Sequence, residues 1–290
     1  MHSYLRAIGF SNLKKEAEAE NLLDEIYQNF DRRETIKEEQ SVFLEMEKEF
    51  APDMGIKLCG NLDQDGFHRQ YYFPYFKGNG ITTKEDVTVE KKVSGNAYSG
   101  VCDDGRIGVS LIFYLQNAAV YCREQLLNEL FTRKTATTLS GLSTSGMVLL
   151  PVCKNSDQID SQKKISAKRN QLLSAAKNGD PEAMESLTIE DMDLYSMLSR
   201  RVYEEDIYTI VDTFFMPYGI ECDKYQIMGN INSYMKVRNS VTKEYIYQLN
   251  VECNDMNFDI CINEADLTGD VEVGRRFKGT IWLQGIINFE

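Results

Sequence analysis

The sequence predicts an α+β protein. An antiparallel sheet with helices fills residues 1–153, a helical connector spans 154–203, and a β-rich unit, barrel-like or a curled sheet, fills 204–290. Three observations predict this. Apolar residues recur at three- and four-residue steps near the N-terminus and change to alternation from residue 41. A lysine-rich helical stretch follows residue 153, and β-branched and aromatic runs dominate from residue 204 onward.

Residues 11–31 read as the first helix, with Leu13, Ala17, Leu22, Leu23, Ile26 and Phe30 on one face and Ser11 or Asn12 as its cap. In Ser41–Phe50, Val42, Leu44 and Met46 alternate with Glu45 and Glu47, the pattern of a strand with one wet face. Ile56–Gly60 and Phe67–Phe76 read as two strands joined through the acid-rich turn 61–66, and Val87–Val93 and Arg106–Tyr114 as two more. A helix is expected over 116–131. Two apolar segments, Thr137–Leu142 and Gly146–Cys153, are then parted by the turn-like Ser143-Thr-Ser145.

Three helices are expected in the connector. Asn178-Gly179 ends the first, Asp180-Pro181-Glu182 opens the second, and Thr188-Ile-Glu-Asp191 starts the third in the manner of a capping box. The remaining strands are read at Asp206–Phe215, Tyr225–Val237, Tyr245–Cys253, Met256–Ile262 and Arg275–Phe289, with Asn254-Asp255 as a tight turn.

With 45 acidic and 32 basic residues the net charge is −13, which repels phosphate backbones and argues against a nucleic-acid or anionic-membrane binder. The longest apolar runs, Val109–Leu115 and Met147–Cys153, fall short of the ~20 residues that span a bilayer. Arg6, Gly9, Ser11 and Asn12 interrupt any secretory signal, so a soluble, cytoplasmic protein is expected. The seven cysteines contain no CxxC pair and most sit in apolar settings, which reads as buried thiols in a reducing compartment.

No motif tested is complete. Asn61-Leu-Asp63-Gln-Asp65-Gly66 begins like a calcium loop, but Tyr72 stands where a bidentate glutamate is required, so a hairpin turn is favoured. Gly141–Gly146 has phosphate-loop spacing, but Met147-Val148 replaces the Lys-Ser/Thr, leaving a glycine-bounded hairpin turn. Any histidine-based triad would have to use His68, whose place after a turn favours a solvent-facing or cross-strand role. Asp103-Asp104 and Glu264, Asp266 and Asp270 are acid clusters that could hold magnesium or do acid–base work, though chance clusters are expected among so many acids.

The strand from Val273 to Gly285 is the more pointed candidate. Alternation places Phe277, Gly279, Ile281 and Leu283 on one face and Arg276, Lys278, Thr280, Trp282 and Gln284 on the other. Arg275, Arg276, Lys278 and Trp282 could therefore hold an anion or a peptide acid. The competing reading is local pairing of the cations with neighbouring carboxylates, with Trp282 packed under a helix.

Two resemblances are visible. Lys168–Leu187 resembles one helical hairpin of the tetratricopeptide or Sel1-like type, and a single such hairpin is a connector and not a solenoid. The second spans nearly the whole chain. His2–Phe10, Tyr71–Phe76 and Gly108–Asn117 carry it, as do Glu190–Met197, Phe215–Asp223 and Gly274–Gly279. On these residues the chain resembles an uncharacterised family from clostridial, gut-type anaerobic bacteria, known only as a domain of unknown function. The resemblance implies a bacterial cytosolic protein and transfers no activity, cofactor or catalytic residue.

The leading expectation is a non-catalytic cytosolic binding or interaction protein without catalytic residues, metal or cofactor. The alternative is a carboxylate-based hydrolase or transferase, with or without a divalent metal. The basic helix Lys163–Lys177 suggests an acidic protein partner or self-association.

Overall fold

The computed structural model describes residues 2–289 except 14, 38–40, 93–96, 108, 128–134, 153–155, 202–206 and 221. A 3-10 helix, Ser3–Ile8, precedes α1, Glu16–Gln28. An antiparallel meander follows: β1 (Arg32–Lys37), β2 (Val42–Ala51), β3 (Met54–Asp63) and β4 (Gly66–Phe76). Next come β5 (Val87–Lys91), β6 (Tyr98–Cys102), β7 (Leu111–Leu115), α2 (Ala118–Leu126) and β8 (Thr135–Leu149). The helices α3 (Ser156–Lys177), α4 (Pro181–Arg201) and α5 (Ile207–Ile210) lead to β9 (Phe214–Pro217). The chain ends through β10 (Lys224–Arg238), β11 (Tyr245–Cys253), β12 (Met256–Asn263), β13 (Leu267–Thr268) and β14 (Arg276–Phe289).

The fold is α+β, and its β-rich part is barrel-like. Strands β8, β12, β11, β10 and β14 are bonded in that order, and β14 bonds back to β8 to close a ring. Within the ring only β12–β8 is parallel. The β8–β14 ladder runs from Leu149↔Arg276 to Thr135↔Phe289, so the ring draws strands from both sides of the helical segment. β7, β6 and β5 extend the sheet outward from β14.

Several elements differ from their sequence reading. β8 is one continuous strand where two segments and a turn were expected. Ser143 donates to the Thr280 carbonyl, and the strand is held by β14 on one edge and by β12 and β13 on the other. Its glycines serve close packing instead of a turn: a Cβ on Gly146 would come within 2.5 Å of the Phe277 ring, and one on Gly141 within 3.1 Å of Ile281. α4 is likewise continuous, because the Thr188 hydroxyl donates back to the Met184 carbonyl at 2.9 Å instead of capping a new helix. Part of the strand expected at 206–215 is the helix α5.

α1 starts only at Glu16, since Ser11 and Asn12 bond to Glu244 on the barrel. β1 and β6 were missed. β1 is a charged edge strand whose composition hides it, and Arg106–Tyr114 contracts to β7. Asn254 and Asp255 have φ of 51° and 59°, the paired positive values of a tight hairpin turn.

Two cores result. One fills the ring with Ile227, Leu249, Val251, Ile260, Phe277 and Ile281. The other lies between the four-stranded sheet and the outside of the barrel, and the 3-10 helix is its wedge through Tyr4, Leu5, Ala7 and Ile8. Barrel side chains satisfy the wedge's carbonyls: Asn263 donates to Arg6, Asn239 to Ile8 and Thr242 to Gly9.

Gly9 ends the wedge at φ 91°, where a Cβ would lie 3.0 Å from both Asn239 and Ile246. Gly9→Ala therefore combines left-handed strain with overpacking and costs about 2 kcal/mol in urea melts. A loss below about 0.5 kcal/mol would show that the wedge can shift freely.

Candidate functional site

β14 has the two faces expected of it, and both are covered. Phe277, Ile281 and Leu283 are buried in the ring core. Trp282 is 5% exposed and packs against His2, Tyr4 and Tyr114 at centroid distances of 4.8, 5.3 and 5.0 Å. Arg276, 4% exposed, donates to the carbonyls of Leu150 and Val211 at 3.0 Å, and burial lowers its pKa. Lys278 donates to the Tyr208 hydroxyl and lies over that ring. Arg275 turns to Glu272 at 2.9 Å and to Asp270 at 3.9 Å. Arg276 and Lys278 thus share the α5 neighbourhood, while Arg275 and Trp282 serve two other places.

The acids also diverge. Glu264 pairs with Lys236, Asp266 with Arg6 and Asp270 with Arg275. Asp104 is buried against Arg106, whose guanidinium also reaches the Asp255 and Thr82 carbonyls, while Asp103 accepts from Ser110. His68 lies on the exposed β3–β4 hairpin, 3.2 Å from Asp63, and Asp63 also accepts the Asp65 amide in the turn.

A different cluster converges under β2. Glu45 and Glu47 project from the face read as wet, yet they are 4% and 7% exposed. Lys57 of β3, register partner of Glu47 and 6% exposed, donates to Glu45 at 2.6 Å and to the Gln116 carbonyl at 2.8 Å, and lies 3.7 Å from Glu47. Lys77 and the Tyr75 hydroxyl both donate to Glu47. The second Glu45 oxygen faces the Ala119 amide at the start of α2, where the helix dipole favours an anion. A pocket of 210 Å³ opens onto these groups between Arg32, Arg33, Asn117 and Ile286.

The electrostatics suit a latch better than a proton shuttle. Burial alone would raise the Glu47 pKa, but Lys77 and Lys57 outweigh it and hold the carboxyl below its ordinary value. Burial would lower Lys57, but Glu45 and Glu47 outweigh it and raise the ammonium. General acid–base catalysis needs a group poised near the working pH, and these two are driven away from it. The volume is also below the roughly 300 Å³ at which small-molecule pockets begin.

The helical hairpin forms the remaining surface. α3 and α4 pack on each other through Lys168–Glu190 and Arg169–Asp191, both 2.8 Å, and Ala183 is buried between them. Beyond that contact, Met184, Met192 and Tyr195 of α4 are 47%, 65% and 74% exposed, and Ile165 of α3 is 64% exposed.

Residues 5–285 match the family model described as a domain of unknown function from an E. rectale gene, DUF3881. The chain belongs to this family. No curated protein and no solved structure matches it. Among the described residues no helix is long and apolar enough to cross a membrane.

Sequence reasoning missed the cluster under β2. The one available signal was Lys57, a cation set between Ile56 and Leu58, complementing Glu45-Met-Glu47 on the preceding strand. It missed His2 as well. That ring sits on Trp282 with Nδ1 facing the Tyr4 amide, and burial, aided by the Lys224 ammonium, lowers its pKa from 6.5 to about 4.

A base depressed on folding binds fewer protons in the native state, so stability falls as pH drops from 6.5 toward 4. The loss reaches about 3 kcal/mol at most. Urea melts across that window should show it, and His2→Phe should flatten the His2 share of the slope. An unchanged slope in His2→Phe would place the titration elsewhere.

Proposed function

We propose that the protein is a non-catalytic, cytosolic interaction protein that engages a protein partner through the α3–α4 hairpin. One observation carries this reading: Met184, Thr188, Met192 and Tyr195 recur at helical spacing along one stripe of α4 and are all exposed. Charge separation supports it, since α3 carries five basic and two acidic residues and α4 five acidic and two basic. The rival, a carboxylate hydrolase or transferase, is weakened by the dispersal of Glu264, Asp266 and Asp270 to three separate cations and by the saturated pairing under β2.

Thermal-shift measurements with divalent metals, nucleotides and sugar phosphates test the reading. A ligand at 100 times its Kd stabilises by about 2.7 kcal/mol, roughly 5–10 °C in a chain of this size. No such rise is expected from any of the three classes. A saturable rise accompanied by turnover of the ligand would overturn the non-catalytic reading.

A further inference from the structure

We infer that the partner is a second copy of this chain, two α3–α4 hairpins closing into a four-helix bundle in which α4 of each copy lies against α3 of the other. The inference rests on the proposed interaction reading and adds the identity of the partner. Two helices that touch along a single seam bury little of their apolar surface, and most helical stability in proteins comes from packing such a face. On α4 the seam side holds Ala183, Leu187, Glu190 and Asp191. The exposed stripe Met184–Thr188–Met192–Tyr195 lies about 100° further round the helix. In a four-helix bundle each helix meets two neighbours at about that separation, so the stripe is placed for a second neighbour.

Charge decides which helix that neighbour is. α3 carries a net +3 and α4 a net −3 by sequence. In a two-fold arrangement with the helices alternating around the bundle, every neighbouring pair is α3 with α4, and all four seams join opposite charges. Setting α4 against its own copy would place two net −3 helices side by side, which is repulsive. The alternating arrangement is also isologous and closed, so it ends at a dimer.

Light scattering coupled to size-exclusion chromatography on the full chain reads the outcome. The expected mass is twice the 33.3 kDa of one chain, at concentrations up to about 100 µM, where a micromolar dimer is saturated. The Met192→Lys, Tyr195→Lys double variant, which sets cations against the basic α3, should run as a monomer with an unchanged melt of the body, because both residues are exposed.

A mixing experiment checks the pairing. Lys164→Glu on α3 and Glu185→Lys on α4 change exposed residues, and each variant alone should associate more weakly, by about tenfold or less. Mixing the two should recover association, since both α3–α4 contacts between the copies then join opposite charges. A parent chain that stays at 33.3 kDa at the highest concentration overturns the second-copy inference. It leaves the interaction reading standing on its ligand test. A dimer that survives Met192→Lys, Tyr195→Lys overturns the assigned surface, and variants that fail to complement overturn the α3-to-α4 pairing.

Discussion

Lys57→Met is expected to lower the stability of the folded chain by about 3–5 kcal/mol, the range for removing one partner of a buried ion pair. The reason is local. Lys57 is the only ion-pair partner that Glu45 makes among the described residues, and it is also 3.7 Å from Glu47. Deleting the ammonium leaves a carboxylate at 4% exposure facing only the start of α2, and frees the Gln116 carbonyl. The melting temperature should fall by roughly 10 °C or more. Methionine keeps the stem volume, so the loss reports charge and hydrogen bonding and not a cavity.

Two further measurements sharpen that result. Removing both charges in Lys57→Met, Glu45→Leu should recover much of the loss, because replacing a whole buried pair by apolar residues is close to neutral. The pH window follows from the shifts. Glu47 is lowered on folding, so its contribution is present above its ordinary 4.5 and fades as pH falls through the folded value. Lys57 is raised, so its contribution is present below 10.5 and fades as pH rises through the folded value. A deficit under about 1 kcal/mol at neutral pH would mean that water, and not the ion pair, compensates Glu45.

These groups show where local pattern stops being informative. Alternation correctly placed Glu45 and Glu47 on one face of β2, but whether that face meets water depends on Gln116 and α2, brought there by the β7–β14 pairing. The same holds on β14. Its two faces were legible from period alone, yet Trp282 is dry because the 3-10 wedge folds over it, and Arg276 because Val211 and Leu150 offer carbonyls. Local turn chemistry was legible where it acts alone, as at Asn254-Asp255. It misled where a tertiary partner competes. Ser143-Thr-Ser145 looks like a turn until β14 lies beside it, and Thr188 looks like a cap until its hydroxyl bonds one turn back.

Residues 1–153 expressed alone are not expected to fold, and neither are 204–290, despite the change of composition between them. The ring explains why. β8 belongs to the first segment, but its ladder partners β14, β12 and β13 belong to the last, and β14 is paired with β8 along its full length. Cutting the chain in the helical segment leaves 204–290 with β12 and β14 as bare edges and exposes Phe277 and Ile281 of the ring core, a combination that favours aggregation. In 1–153, β8 has lost the ladders on both edges, and the 3-10 wedge has lost the Asn239, Thr242 and Asn263 side chains that satisfy its carbonyls. Each fragment should give no cooperative melt, whereas co-expressing 1–203 with 204–290 should restore one, because the cut then falls outside every ladder. A soluble, monomeric 204–290 with a cooperative transition would show that β10, β11, β12 and β14 are stable without β8, and that closure of the ring is not what holds the barrel together.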